Sequence, residues 1–331
     1  MKLRRAAAAS LVVFLIAGAS IAQTTSTSSG QAYPTKAVHV LTPFPTGSGP
    51  DSVLRLIGEK LAKVWGRQLI VDNRPGGNGF IAAEAAHRAA ADGYTFVQLD
   101  ISNLTVHPHL YHKMPYDPVR DFDAAAGLLR TYFFVVVPGT SQWKSVSDLI
   151  AAARAQPGKL SYGSWFIGSP GHLGTAQLEL QTGTRMHHVV YKDFNQLYFA
   201  VGNHEIAWAF GSAASSLAAY QAKKVRYLAA AAPKRIAGYP EVPTVAEAGG
   251  PAGFEVMGWV AIMAPHGTPT AAIARVNEDI SKVLAERDIN ERFQVFGYEP
   301  MPLTPAELTR LIESDSRRWG ELIKRLNIAL D

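Results

Sequence analysis

Two loops concentrate the residues whose types and spacing could do chemistry. The first is Pro43-Phe44-Pro45-Thr46-Gly47-Ser48-Gly49-Pro50 and the second is Ser164-Trp165-Phe166-Ile167-Gly168-Ser169-Pro170-Gly171-His172. Glycine adopts positive φ at no steric cost, so Gly47 and Gly49 can turn successive backbone N–H groups toward one point, a concavity that receives an oxygen-rich anion. Pro50 and Pro170 fit the first turn of a helix, where a missing N–H costs nothing, and Ser169 fits the cap position ahead of it. Asp51 suits the positive end of a helix dipole. The chemistry implied is anion binding at two helix N-termini, with hydroxyls from Ser48 and Ser169. Facing each other, the two loops would grip an anion from both sides.

Other chemistries fit less well. Gly47-Ser48-Gly49 starts like a dinucleotide fingerprint, and Asp72 falls near the expected acidic position, but Ser52 stands where the third glycine belongs. No Gly-Lys-Ser/Thr follows, so the pattern excludes a phosphate-binding P-loop. There is no Gly-x-Ser-x-Gly elbow, and Ser169 with His172 three residues on lacks a third orienting group for a hydrolytic triad. His107, His109 and His112 form His-Pro-His-x-x-His with no carboxylate or thiolate at chelating spacing, and they read as surface histidines near a turn. His187 and His188 are adjacent on a strand pattern and point to opposite faces. No metal and no cofactor are expected.

The elements that must position these loops alternate between strand and helix signals, as in α/β layers over a mostly parallel sheet. A strand over Val38, Val40 and Leu41 leads into the first loop, and Val53, Ile57, Leu61 and Val64 recur at helical spacing behind it. Gln68 to Asp72 is a strand, Phe80 to Ala90 a helix and Thr95 to Leu99 a strand. The loop Asp100-Ile101-Ser102-Asn103 follows at that strand's C-terminal end, so Ser102 and Asn103 should face the same cleft as Thr46 to Ser48. Leu128 to Val137 is a buried strand and a natural crossing into a second domain. There a helix at Val146 to Ala155 and a strand at Lys159 to Gly163 lead into the second loop. Phe254 to Ala264 reads as a strand, and Thr270 to Glu286 and Thr304 to Leu326 as amphipathic helices on the first domain's outer face.

Composition sets the compartment. Met1 to Ala22 carries Lys2, Arg4 and Arg5, then the apolar run Leu11 to Ile16, then Ser20-Ile21-Ala22, which is the pattern of a secretory signal peptide cleaved near Ala22. Losing those three basic residues lowers the formal charge from +5 to +2, so neither a nucleic-acid stripe nor a polybasic membrane surface is implied. Export also argues against a cytosolic dinucleotide. With no cysteine, the chain has no lipoprotein anchor, disulfide framework or thiol chemistry. Gln23 to Ala32 is a Ser/Thr-rich tether. From Tyr33 onward, 47% hydrophobic and 18% charged composition can bury a core large enough for two domains.

In these segments the chain resembles the solute-binding proteins of tripartite tricarboxylate transporters, the Bordetella-uptake-gene family. The markers are Tyr33-Pro34, Pro43-Phe44-Pro45 with Gly47, Gly49 and Asp51, Asn73-Arg74-Pro75-Gly76, Asp92-Gly93-Tyr94-Thr95, and Tyr116-Asp117-Pro118-Val119-Arg120-Asp121-Phe122. Pro157-Gly158-Lys159-Leu160, His172-Leu173, Tyr191-Lys192, Val242 to Gly249, and Ala264-Pro265 with Gly267-Thr268-Pro269 follow in order. The resemblance implies a periplasmic receptor of α/β class, a two-domain periplasmic binding protein (Venus-flytrap, type II) with its ligand cleft between domains. Residues 33–129 with 246–331 would form domain 1, and 130–245 domain 2. It also implies a non-catalytic role as a monomer that captures a small carboxylate and hands it to a membrane permease.

Carried over by that resemblance, the first-domain loop falls on Phe44 to Gly49 and the second-domain carboxylate clamp on Ser164 to His172. Two departures bear on the ligand. Relatives often have Tyr-Lys-Gly where this chain has Tyr191-Lys192-Asp193, and many carry an Asp where it reads Ala207-Trp208-Ala209-Phe210-Gly211. The expected ligand residues are therefore Phe44, Thr46, Gly47, Ser48, Ser102, Asn103, Ser164, Trp165, Gly168, Ser169, His172, Asp193 and Phe210. The aromatics among them favour a flat ring with carboxylates at both ends, such as terephthalate. A C4 to C6 aliphatic diacid is the alternative, and an exported hydrolase is a more distant one.

Overall fold

The computed structural model describes residues Tyr33–Leu330, so the expected signal peptide and tether lie outside the described residues. The chain begins with β1 (Val38–Thr42), whose Val38 and Val40 are buried against Val53, Ile57 and Leu61 of α1 (Gly49–Trp65). Side chains of this kind each contribute about 1.5–3 kcal/mol when fully buried, enough to commit the amphipathic face of α1 to the sheet. Gly66, at φ +62°, ends the helix by sending its N–H to Ala62 O at 3.0 Å.

Two parallel strands flank β1, namely β2 (Leu69–Asn73) and β3 (Thr95–Asp100), with Val40 opposite Val71 on one side and Phe96 on the other. Between them lies α2 (Phe80–His87), and beyond β3 come a π-helical turn, Ser102–Val106, and the short α3 (His107–Leu110).

The long strand β4 (Phe122–Pro138) is shared by the two halves. Its first part, Phe122 to Tyr132, pairs antiparallel with β9 (Met257–Pro265), which in turn pairs with β3. Its last part pairs with β7 (Trp208–Gly211) and β8 (Val225–Ala231). Beside β7 run β5 (Ser161–Ser164) and β6 (His187–Val190), both parallel to it in direction, giving the order β2-β1-β3-β9-β4-β7-β5-β6. Sequence alone starts this crossing strand at Leu128. It begins six residues earlier because Ala124, Ala125, Ala126 and Gly127 carry little β-propensity and are held there by the ladder to β9.

The second half adds α4 (Val146–Ala155), α5 (Pro170–Thr182), α6 (Phe194–Gly202) and α7 (Ala213–Gln221). The chain closes with α8 (Thr270–Leu284), α9 (Arg287–Phe296), β10 (Tyr298–Pro300) and α10 (Pro305–Leu326). Thr304 and Glu307 make a reciprocal capping box at the start of α10, whose Leu308, Ile312, Trp319 and Ile323 are buried against the sheet. Within that packing, Trp259 Nε1 donates to Asp315 at 2.7 Å, satisfying two buried polar groups at once.

Among the described residues four apolar clusters follow from this layering, one on each face of each half of the sheet. Val53, Phe96 and Val260 mark one face of the first half, and Leu99, Trp259 and Trp319 the other. In the second half Phe133, Trp208 and Phe210 pack on one face, and Phe134, Tyr198 and Tyr227 on the other. Val245, Ala248, Phe254 and Val256 still belong to the second half's core, so its packing runs to the start of β9.

Candidate functional site

Every parallel strand here ends in a loop that opens a helix, so the N-termini of α1, α5, α6 and α7 gather at the C-terminal ends of the strands. The loops of the two halves meet there. A Cβ on Gly49, after β1, would lie 2.9 Å from Ala214 Cβ, after β7. A Cβ on Gly168, after β5, would lie 2.1 Å from Leu110 Cδ1, after β3. Gly168 also sits at φ +91°, so the position admits only a residue without a side chain. The rings of His107 and Phe166 complete the contact, 5.9 Å apart and steeply inclined.

A network behind it holds the first loop in shape. Asp51, 1% exposed, accepts from Gly47 N–H at 2.8 Å, from Arg55 Nε at 3.1 Å and from Asn73 Nδ2 at 2.7 Å. Burial pushes the Asp51 carboxyl up, but the bonds from Arg55, Asn73 and Gly47 outweigh it and hold the group below the usual carboxylate range. Asn73 also donates to Phe44 O at 2.9 Å, and Ser48 N–H donates to Pro45 O at 3.1 Å. The N–H groups of Gly47 and Ser48 are thus committed within the loop. Thr46 stands exposed at its tip, and Phe44 is half-buried against the first core. Ser48 takes the N-cap backbone of α1 without a side-chain cap bond, and its buried Oγ has no partner among the described residues.

At the end of β3, Ser102 repeats this: it is 1% exposed, and its Oγ has no partner among the described residues. Asn103 instead spends its side chain on the fold, donating to Asn78 O at 2.9 Å, while its carbonyl accepts from the Tyr116 hydroxyl at 2.9 Å. His107, expected on the surface, is fully buried in a cage of Phe80, Tyr111 and Phe166, and neither ring nitrogen has a partner among the described residues. Sequence reasoning missed this because the π-helical turn carries residue 107 inward. Burial drives its pKa down to about 4, so the ring is neutral at pH 7. His109 and His112 are exposed, and no group of three or more His, Cys, Asp or Glu able to hold a metal occurs among the described residues.

The second loop is also tied internally. Ser169 caps α5 by accepting from His172 N–H at 3.3 Å, and Gly168 N–H donates to His172 Nδ1 at 3.0 Å. Nδ1 is therefore the unprotonated nitrogen, and it is engaged with backbone rather than with the Ser169 hydroxyl. The His172 ring stacks on His188 at 4.2 Å and 12°, and His188 stacks on Tyr162 at 4.8 Å. Burial lowers His172 to about 4, and burial with the neighbouring His172 and His187 lowers His188 to about 3. Ser164, fully buried, shares a 2.7 Å hydrogen bond with His188 Nε2. Spacing alone did not pair His188 with His172, because they lie on different elements.

Trp165 is half-buried, stacked on Phe133 at 5.6 Å and 18°, with Phe194 at 5.0 Å and 48° on another side. Phe166 stands perpendicular to it at 6.2 Å. Asp193 is exposed and caps α6 by accepting from Gln196 N–H at 2.9 Å. Phe210 is fully buried between Trp208 and Phe254, so its ring is used in the core of the second half. The loops thus assemble two unpartnered hydroxyls and an aromatic wall at one junction.

Residues 53–328 match the family described as "Tripartite tricarboxylate transporter family receptor". The chain is 33% identical over 312 residues to the UPF0065 protein in the tcbD-tcbE intergenic region of Pseudomonas sp. (strain P51), covering 93% of each chain. It is 28% identical to protein BugT of Bordetella pertussis, covering 91% of this chain and 93% of that one. Among solved structures it is similar to R. palustris Rpa4515 with adipate, at TM-score 0.83 and 31% identity, covering 90% of this chain and 99% of the other. MatC from Rhodopseudomonas palustris with bound malate is similar at TM-score 0.77 and 26% identity, covering 88% and 100%.

Proposed function

The chain belongs to the tripartite tricarboxylate transporter family receptors, and from that premise we propose that it captures a small dicarboxylate in the periplasm and presents it to a membrane permease. The preferred ligand in this reading is an aromatic para-dicarboxylate such as terephthalate. The observation that carries it is the pair of buried hydroxyls without partners among the described residues, Ser48 Oγ and Ser102 Oγ, in the segments that follow neighbouring strands β1 and β3. A buried polar group left unpaired costs about 1–3 kcal/mol, which a ligand oxygen would relieve. Contacts to a helix N-terminus each add about 0.3–2 kcal/mol, so several reach the roughly 8 kcal/mol of micromolar binding without an arginine. Trp165 and Phe166 supply the apolar face that a ring would use.

The aliphatic reading has its own support, since adipate and malate, the ligands of Rpa4515 and MatC, are aliphatic diacids. Calorimetric titration decides between the two: terephthalate is expected to bind at least about tenfold tighter than adipate or succinate, the equivalent of about 1.4 kcal/mol. A preference for succinate would return the ligand to the aliphatic class. A ligand touching loops of both halves also favours the closed arrangement, because only that form completes the contacts. Small-angle scattering is accordingly expected to show a smaller radius of gyration at saturating ligand, and an unchanged radius would oppose capture by closure.

A further inference from the structure

We propose that Asp100 shares one proton with a carboxylate of the bound ligand, so that the receptor takes up its diacid together with a proton. This rests on the dicarboxylate reading above and names a residue that determines which charge state is held. Asp100 is the last residue of β3, on the strand face shared by Phe96 and Gln98. On that face Gln98 donates to Pro50 O, in the first turn of α1, at 3.1 Å, and Asp100 lies one step further toward the loops. It adjoins Ser102 with its unpartnered hydroxyl, and its Oδ1 accepts from Asn103 N–H at 3.0 Å. No lysine or arginine pairs with it among the described residues. Burial pushes the carboxyl up to about 6, more than the N–H groups of Asn103 and Ser102 pull it down.

Among the described residues no basic group acts on Asp100: Arg74, after β2, is paired with Asp72 at 2.8 Å, and Arg130 stands on β4 opposite Trp259, beyond β9. Tyr116, bonded to Asn103 O, and Val260 across the β9 ladder are neutral. Asp51 at the start of α1 is already held by Arg55, Asn73 and Gly47. His107, His172 at the start of α5 and His188 on β6 are held neutral at pH 7, chiefly by burial. The loops after β1, β3, β5 and β7 contain no lysine or arginine, and Lys192 after β6 is exposed. A diacid entering here is a dianion at pH 7, and two carboxylates a few ångströms apart do not both stay ionised. The pair then titrates as a unit that keeps one proton to a higher pH than Asp100 alone. Above about pH 6 free Asp100 is mostly ionised and the complex is not, so binding takes up a proton and weakens as pH rises, by up to about tenfold per unit until the complex also ionises.

Calorimetry of terephthalate and adipate binding near pH 7.5, in two buffers of different ionisation enthalpy, tests this. The expected result is uptake of about one proton by the natural protein, falling to near zero in Asp100→Asn, with a flattened pH profile of affinity. Asp100→Ser serves as a second variant, and circular dichroism checks the fold of both. Binding without proton uptake, or uptake undiminished in folded variants, would overturn the proposal and leave the dicarboxylate reading intact. A natural protein that binds neither diacid would overturn that reading and this proposal with it.

Discussion

Replacing Ser48 by aspartate is expected to raise the dissociation constant for any dicarboxylate ligand by about a hundredfold or more while leaving the melting temperature within about 2 °C. The two effects separate because of what Ser48 does. It occupies the N-cap of α1, but its side chain makes no cap bond, so no stabilising contact is lost. Aspartate caps a helix about as well as serine and suits the positive end of its dipole. The same carboxylate faces the position proposed for a ligand oxygen. Like charges about 4 Å apart repel by about 4 kcal/mol at an effective dielectric constant of 20, and Arg55, the cation of this loop's network, is already paired with Asp51. Ser48→Ala, which removes only the hydroxyl, is expected to cost tenfold or less, in keeping with about 1 kcal/mol for one hydrogen bond. Calorimetry and thermal melts of both variants are the measurement. An unchanged affinity in Ser48→Asp would remove the first loop from the site.

Trp165→Ala is expected to abolish most of the preference for terephthalate over adipate. Trp165 follows the buried Ser164 and is kept in place by Phe133 behind it and Phe194 beside it. Each aromatic pair contributes about 0.5–1.5 kcal/mol beyond area burial, so losing the ring's contact with an aromatic ligand weakens it by about tenfold. An aliphatic chain loses only contact area and is expected to weaken by about threefold or less. The variant also removes a ring packed between two second-half clusters, so its melting temperature should fall, and only the ratio of the two affinities isolates the ligand contact. A ratio that does not move would mean that Trp165 serves packing alone.

Local patterns already determined much of this protein. Proline, glycine and hydroxyl residues marked where α1, α5 and α10 begin, because capping and first-turn preferences act within a few residues. The strand-to-helix alternation pointed to α/β layers, and ordered motifs along the chain pointed to the receptor family that the chain resembles. Tertiary structure decided what those residues do. Gly47 N–H turned to Asp51 and Gly168 N–H to His172, since a loop satisfies its own donors when a partner is close in space. Phe210 went to the core and His107 into an aromatic cage, where the second half closes over α3. Asp100 was placed in a cleft loop by the sequence but given no role there, because a carboxyl's partial burial and missing countercharge depend on neighbours from α1, β9 and the loop before β4. Hydroxyls without partners, such as Ser48 and Ser102, are equally invisible in a string of residues: being unpaired is a property of the surrounding space, which exists only once the chain has folded.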